Sequence, residues 1–347
     1  LIEKRAWLGH EEQELTRLVK EGKRYKEIAD ILGRSMPSIK GKARELGHAK
    51  GYSKQFEVKG LTKSNRTVAE LLEARTEAFR RKKAHHEGKK DVHVKIGGEG
   101  PYMLMAFGDP HVDDDGVCLA TLKEHMDIAR QPEVFAFNIG DLTNNWVGKL
   151  RGLYAHQQFT EDEATEMMRW LISEIDWLWV ILGNHDKWSH VAELICRDHG
   201  VHSVSHGGIF HVARGDHRIS IDARHDHQGR SMYNAAHGQV KRNYRGSPCD
   251  VIIGGHTHTI AYMLLKNGVS GQTAHCLRVG SYKLYDDYAD RLGYDSEAIS
   301  PCVAFVVDPR FEGAESITVF HDPKRGLEYL QFVRNQYESE SNSRRSG

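Results

Sequence analysis

One event happens five times in this chain and constrains it more than anything else. A short apolar run ends in Asp, His or Asn, mostly with glycine alongside. Residues 102–107 run into Gly108-Asp109-Pro110-His111, and 134–139 into Gly140-Asp141. Residues 177–182 run into Gly183-Asn184-His185-Asp186, 219–223 into Arg224-His225, and 251–253 into Gly254-Gly255-His256-Thr257-His258. Each run has the length and aliphatic or aromatic content of a buried strand. Segments 119–130 and 161–175 read as crossover helices, and a further helix is expected at 190–198. Segments 209–212, 217–223, 259–265, 273–279 and 302–307 read as antiparallel or mixed strands. Alternation of this kind predicts an α/β or α+β fold. Ligand sites in such sheets gather at the carboxyl ends of strands, and carboxylate oxygens and imidazole nitrogens suit hard or borderline divalent ions. A polynuclear metal site is the expectation.

The blocks GDPH, GD, GNHD, a lone His after a strand, and GHTH, in that order across residues 101–260, resemble the calcineurin-like metallophosphoesterases. The resemblance implies a two-sheet β-sandwich with flanking helices and a catalytic domain over 101–325. It also implies two divalent ions ~3.5–4 Å apart that clamp a phosphoryl group and activate a water. Asp141 matches the bridging carboxylate. Asp109, His111 and His258 match the other ligands of one ion; Asn184, His225 and His256 match those of the second. His225 follows its strand most directly, with His227 as the alternative. His185 matches the proton donor to the leaving oxygen, and Asp186 is expected to fix the loop. Manganese is the expected metal; iron, zinc, nickel or magnesium would suit the same donors, because geometry and supply decide. Arg224, Asn234 and His237 are candidates for substrate contact or for structural hydrogen bonds. Asp113-Asp114-Asp115 reads as a solvated loop. GDLTNN lacks the second Asp that protein phosphatases carry, which argues against a phosphoprotein substrate.

Ahead of this core, residues 1–50 have the apolar spacing of three short helices. Leu15, Leu18 and Val19 form one face, Tyr25, Ile28, Ala29, Ile31 and Leu32 a second, and Met36, Ile39, Ala43 and Leu46 a third. Ser35 is placed to cap the third helix, with Pro37 in its first turn. The string from Trp7 through Glu11-Glu12 to Leu32-Gly33-Arg34-Ser35 and Leu46-Gly47 resembles Myb/SANT-like helix-turn-helix domains. That implies DNA as partner, met by Arg34, Ser38, Lys40, Lys42 and Arg44. A protein-contact module is the alternative. A small helix-turn-helix on this core, with the SMYNAAHG stretch at 231–238, is also similar to phage-encoded phosphoesterases.

The net charge of zero hides a polarity: residues 1–100 hold 24 Lys and Arg against 15 Asp and Glu, and the remainder 24 against 33. A basic front end suits polyanions. Residues 51–100 read as a basic connector with a helix at 68–81 and a loop at 85–90, its His85-His86 on the surface. Residues 326–347 read as a terminal segment whose polar tail, from Gln331, is disordered. Five cysteines without CxxC pairing suggest a reducing, cytoplasmic setting, in a bacterium or an infected host cell. No run approaches a membrane span, and no organic cofactor is expected. Three functions compete: a DNA-directed phosphodiesterase, a phosphatase or small-molecule diesterase with a localising front domain, and a DNA-binding regulator with a structural metal core.

Overall fold

The computed structural model describes residues 5–48, 66–88, 91–146, 152–153, 157–285 and 301–345. The chain forms two compact units, 1–75 and 76–347. The first holds α1 (Gly9–Lys20), α2 (Tyr25–Leu32) and α3 (Met36–Glu45). Leu15, Leu18, Ile28, Ala29, Ile39 and Ala43 are buried between them, with Trp7, Tyr25, Leu32 and Leu46 packed around. α2 stops at Gly33, whose φ of 57° lies in the left-handed region that glycine enters without penalty. Pro37 sits in the first turn of α3, and Ser35 takes the extended N-cap conformation without a side-chain cap hydrogen bond.

The connector differs from its expected layout. Residues 49–65, its polar half, lie outside the described residues. Helix α4 (Val68–Gly88) runs past 81 and takes in 85–88 of the segment read as a loop, and Thr67 and Glu70 cap its start reciprocally. Strand β1 (Asp91–Lys95) then joins a sheet, so the second unit begins before residue 101. The alternation of Val92 and Val94 with polar neighbours is a strand pattern, hidden by the charged residues around it.

The second unit is a sandwich of two six-stranded mixed sheets with helices outside, the architecture the resemblance implies. One sheet contains β2 (Tyr102–Phe107), β3 (Val134–Asn138), β4 (Trp177–Leu182), β5 (Ser203–Ser205), β11 (Cys302–Val307) and β12 (Ile317–Phe320), in the order β12-β11-β2-β3-β4-β5. The other contains β1, β6 (Gly207–Arg214), β7 (His217–Arg224), β8 (Val251–Gly254), β9 (Ala261–Lys266) and β10 (Thr273–Arg278), in the order β1-β6-β7-β8-β10-β9. Strands β2 to β5 pair in parallel, as do β7, β8 and β10.

Side chains alternate across each strand, so β2 serves two cores at once. Tyr102, Leu104 and Ala106 meet Trp179, Phe210, Ile221 and Ile253 between the sheets. Met103, Met105 and Phe107 face Leu122, Met126, Leu171 and Ile172 of α5 (Leu119–Ala129) and α6 (Glu161–Ser173). Helix α7 (Val191–Asp198) joins that outer layer. On the opposite outside, Val240 of α8 (His237–Arg245) packs on Ile252 and Cys276. β2, buried on both faces, therefore reads as a continuous apolar run.

The terminal segment corrects the sequence reading. Residues Pro323–Arg345 form helix α9, not a disordered tail. Leu330 and Val333 are buried in the core that holds Met103, and Leu327 and Tyr329 pack beside them. Arg334 donates to the Glu99 and Pro101 carbonyls at 3.2 and 2.8 Å. Each buried aliphatic contributes about 1.5–3 kcal/mol. That is enough to order a helix whose polar composition alone suggests none.

Candidate metal centre

The five strand ends converge. β2, β3 and β4 deliver Asp109, His111, Asp141, Asn184 and His185 from one sheet; β7 and β8 deliver His225, His256 and His258 from the other. The chain turns sharply there, and the backbone records it. His111, Asp141, His256 and His258 have φ of 42, 52, 72 and 55°. Non-glycine residues avoid this region at a cost of order 1 kcal/mol or more each, and such outliers cluster at functional sites. Glycine permits the close approach: a Cβ on Gly183 would fall 2.2 Å from Asp141 Oδ1.

Asp141 stands between two groups of donors. Its Oδ2 lies 3.0 Å from His225 Nε2, 3.9 Å from His185 Nε2 and 4.0 Å from His111 Nε2. On one side, His225 Nε2 is 2.9 Å from Asn184 Oδ1 and 3.1 Å from His256 Nδ1. On the other, His258 Nε2 is 3.6 Å from Asp109 Oδ2, and the His111 and His258 rings meet at 5.2 Å between centroids. Asp141, His225 and His256 by themselves form a group able to hold a metal ion, with ligand atoms within 4.8 Å of one another.

The chemistry of the donors fits a cation. Asp109 Oδ1 and both ring nitrogens of His111 are buried with no hydrogen-bond partner among the described residues, a costly state for atoms nothing else satisfies. Burial pulls the His225 imidazole down, yet Asp141 and Asp109 outweigh it and push the ring up to about 10. Burial, with His185 and His258 nearby, holds His111 well below the usual histidine value. Burial pushes Asp109 up to about 8, while the His225 imidazole overcomes burial to hold Asp141 below the usual carboxylate range. The carboxylates thus call for positive charge, which the His225 ring itself carries here and which a cation held by neutral imidazoles would supply in its place. His225 Nδ1 donates to the Ile139 carbonyl at 3.2 Å, which leaves Nε2 for the centre.

His227 is placed elsewhere: it donates from Nε2 to the Ile253 carbonyl at 3.1 Å and is 2% exposed. The strand's last residue points its successor, His225, inward, and the chain has turned before His227. Asp186 holds the loops together, accepting from the amides of Asp141, Gly183 and Leu142 at 2.7, 2.9 and 3.0 Å. His185 stacks at a tilt on Trp188 at 4.3 Å and edge-on to Trp146 at 5.3 Å. Burial lowers its pKa against the pull of Asp141.

Two residues of the acidic run leave the solvated loop its charge suggests, while Asp115 is exposed. Asp113 is fully buried and accepts from the Asn144 amide at 2.7 Å and from Gln157 Nε2 at 3.0 Å. Asp114 accepts from Gly116 N and Asn144 Nδ2 and pairs with Lys283 at 2.8 Å. Arg224 is tied to buried Asp222 at 2.7 Å, alongside Arg242. Asn234 caps its own turn at the Ala236 amide and lies 3.2 Å from Met263 sulfur. His237 begins α8, against Gly229.

Arg278, at the end of β10, escaped the sequence reading. It is 2% exposed, donates to Thr257 between His256 and His258, and approaches Asp226 at 3.8 Å. A lone arginine closing an otherwise apolar run was the available signal.

In the first unit, the five cations and hydroxyls expected at DNA divide. Arg34 is inward: it pairs with Glu11 at 2.7 Å, donates to the Arg5 and Ala6 carbonyls, and covers Trp7 at 4.2 Å. Lys42 pairs with Glu12 and Glu45 at 2.8 and 3.0 Å. Lys40 and Arg44 are exposed, and Ser38 is half-buried.

No protein-family model matches this chain, and no curated protein matches it. Among solved structures, NAD nucleotidase of Haemophilus influenzae is similar in fold, with a TM-score of 0.37 at 10% identity. The match covers 63% of this chain and 49% of that one, so the chain spans about half the length of the neighbour.

Proposed function

We propose that this chain is a dinuclear metal-dependent phosphoesterase, acting on phosphodiesters and most readily on DNA. The observation that carries the reading is Asp141 Oδ2, which reaches His225 on one side and His111 on the other within 4.0 Å. Asp109, His111 and His258 would hold one ion, Asn184, His225 and His256 the other, and Asp141 both. Divalent ions bound there supply Lewis-acid charge for the phosphoryl oxygens and a water of lowered pKa. The residues do the rest. As the imidazolium, His185 is placed to give a proton from Nε2 to the leaving oxygen. Asn184 contributes a neutral amide oxygen, which limits the negative charge facing an anionic substrate. Trp146 and Trp188 hold the His185 ring and keep water from its faces.

DNA as substrate is supported by the basic first unit and by the exposed Lys40 and Arg44 on α3. A small phosphoester is the second reading, and the inward ion pairs of Arg34 and Lys42 favour it, because they withdraw two of the cations expected at phosphates. The deciding experiment offers the full chain labelled single- and double-stranded DNA beside a chromogenic diester and monoester, with manganese added or chelated. Metal-dependent DNA cleavage supports the first reading. Turnover of small esters alone supports the second, and no metal-dependent turnover of any of them rejects both.

A further inference from the structure

His185 Nδ1 is hydrogen-bonded to the main-chain carbonyl of Asn144. A carbonyl oxygen only accepts, so Nδ1 must carry the proton and the lone pair of the neutral ring lies on Nε2. That nitrogen faces Asp141, 3.9 Å from Oδ2.

What holds the carbonyl there is a closed set of hydrogen bonds around Asn144, which is itself fully buried. Its amide N–H donates to Asp113 Oδ1 at 2.7 Å. Its side-chain Nδ2 donates to Asp114 Oδ2 at 2.7 Å and to Gln157 Oε1 at 3.3 Å. Gln157 closes the ring by donating to the other oxygen of Asp113 at 3.0 Å, and takes the Trp146 indole N–H at 3.0 Å. Lys283 neutralises Asp114 at 2.8 Å. The next residue reinforces the arrangement: Asn145, with φ of 39°, donates from Nδ2 to the His185 carbonyl at 2.7 Å. A residue tied at its amide, at its side chain and through its neighbour has little freedom to turn its carbonyl away.

We propose that Asn144 is a positioning residue whose main-chain carbonyl, locked by the Asp113–Asp114–Gln157 clamp, fixes the His185 tautomer and ring so that Nε2 faces the centre. Only the catalytic consequence rests on the phosphoesterase reading; the tautomer belongs to the chain itself. The clamp gives the acidic run at 113–114 a task that a solvated loop would not have. It also gives a physical reason for burying two carboxylates and a lysine beside a metal centre. An imidazole held by Nδ1–H to a rigid acceptor keeps its orientation as Nε2 takes up a proton, forming the imidazolium, and then gives it to the leaving oxygen, which restores the neutral ring.

The test uses the full-length protein with its histidine nitrogens labelled, observed by NMR metal-free and with zinc, at a pH where the ring is neutral. The His185 signals are identified by their loss in His185→Asn. Wild type should show a proton on Nδ1 and a bare Nε2, and Asn144→Ala should lose the protected Nδ1 proton or mix the tautomers. A wild-type His185 protonated on Nε2 overturns the proposal whatever the enzyme does.

Activity supplies the second arm. Asn144→Ala should lower kcat about tenfold on an alkyl diester, change it little on a nitrophenyl ester, and leave bound metal unchanged. Added to His185→Asn it should cost nothing further, because it acts through that ring. An additive loss, or equal losses on both esters, overturns the proposal. If Asn144→Ala does not fold, Gln157→Ala removes one strut and should shift the same readings less. Absence of metal-dependent turnover in wild type would remove the phosphoesterase reading and leave the tautomer measurement to decide the clamp.

Discussion

Asp186 accepts the backbone amide of Asp141 at 2.7 Å across 45 residues of chain. One buried carboxylate thereby ties the loop after β3 to the loop after β4, and Gly183 and Leu142 donate to it as well. The spacing of Asp141 and the Asn184-His185 pair is held by this residue, both of whose carboxylate oxygens accept loop amides. Asp186→Asn replaces one acceptor oxygen by an amide NH2 facing N–H groups. We expect a loss of about 1–3 kcal/mol, read as a fall in Tm of roughly 2–10 °C. An unchanged Tm would mean that the loops hold without it.

Asp141→Ala should remove metal binding at both positions, because the carboxylate stands between the two donor groups. Loss of a shared ligand is expected to weaken binding by several kcal/mol. Metal per chain, measured after equilibrium dialysis, should fall from two to none. Retention of two ions would reject the shared role, and chelation of wild type should abolish turnover reversibly.

His185→Asn should keep its metal and lose turnover about 10²–10⁴-fold on esters with poor leaving groups. A nitrophenolate scarcely needs the proton, so the defect there should be much smaller. Rates on a series of leaving groups test this. Equal losses across the series would exclude His185 as the leaving-group acid.

Glu11 makes the first unit sensitive to acid. Hydrogen bonds from Arg34 and Leu8 hold its carboxyl down at about 2, from an ordinary 4.5. A depressed folded value stabilises the fold above the unfolded pKa, and that contribution is lost as pH falls through the folded one. The amide signals of residues 9–45 should therefore report weakening between about pH 4.5 and 2. Glu11→Gln should be weaker already at neutral pH and flatter across that window. Coincident acid profiles would refute the assignment.

Lys40 and Arg44 are the exposed cations of α3, and Arg34 is inward. Lys40→Ala with Arg44→Ala should weaken duplex binding and flatten log affinity against log salt by ~0.9 for each phosphate no longer neutralised. Arg34→Ala should destabilise the helices. Titrations at several salt concentrations, with melting curves, separate the two. An unaltered slope in the double variant would move any DNA-binding surface off α3.

The sequence by itself determined the strands whose ends meet at the site, while β1, β5 and β12 went unread. Runs such as 102–107 are apolar throughout because both faces are covered, and the polar residues that follow them stand where parallel strands end. Helical spacing likewise predicted α1 to α3. Composition misled where burial comes from distant partners: α9 looks polar and disordered, yet Leu330 and Val333 find their cover on β2, near the other end of the second unit. Asp113 looks solvated, yet its partners are Asn144 and Gln157. Arg34 looks like a DNA-binding cation, yet Glu11 takes its charge. Only the tertiary structure shows these partners, and it places His225 beside Asp141 and His227 against the Ile253 carbonyl. Local pattern reports what a residue is and which face of its element it occupies. Which carboxylate an arginine meets, or which imidazole turns inward, depends on elements brought together across the chain, and no local spacing encodes that.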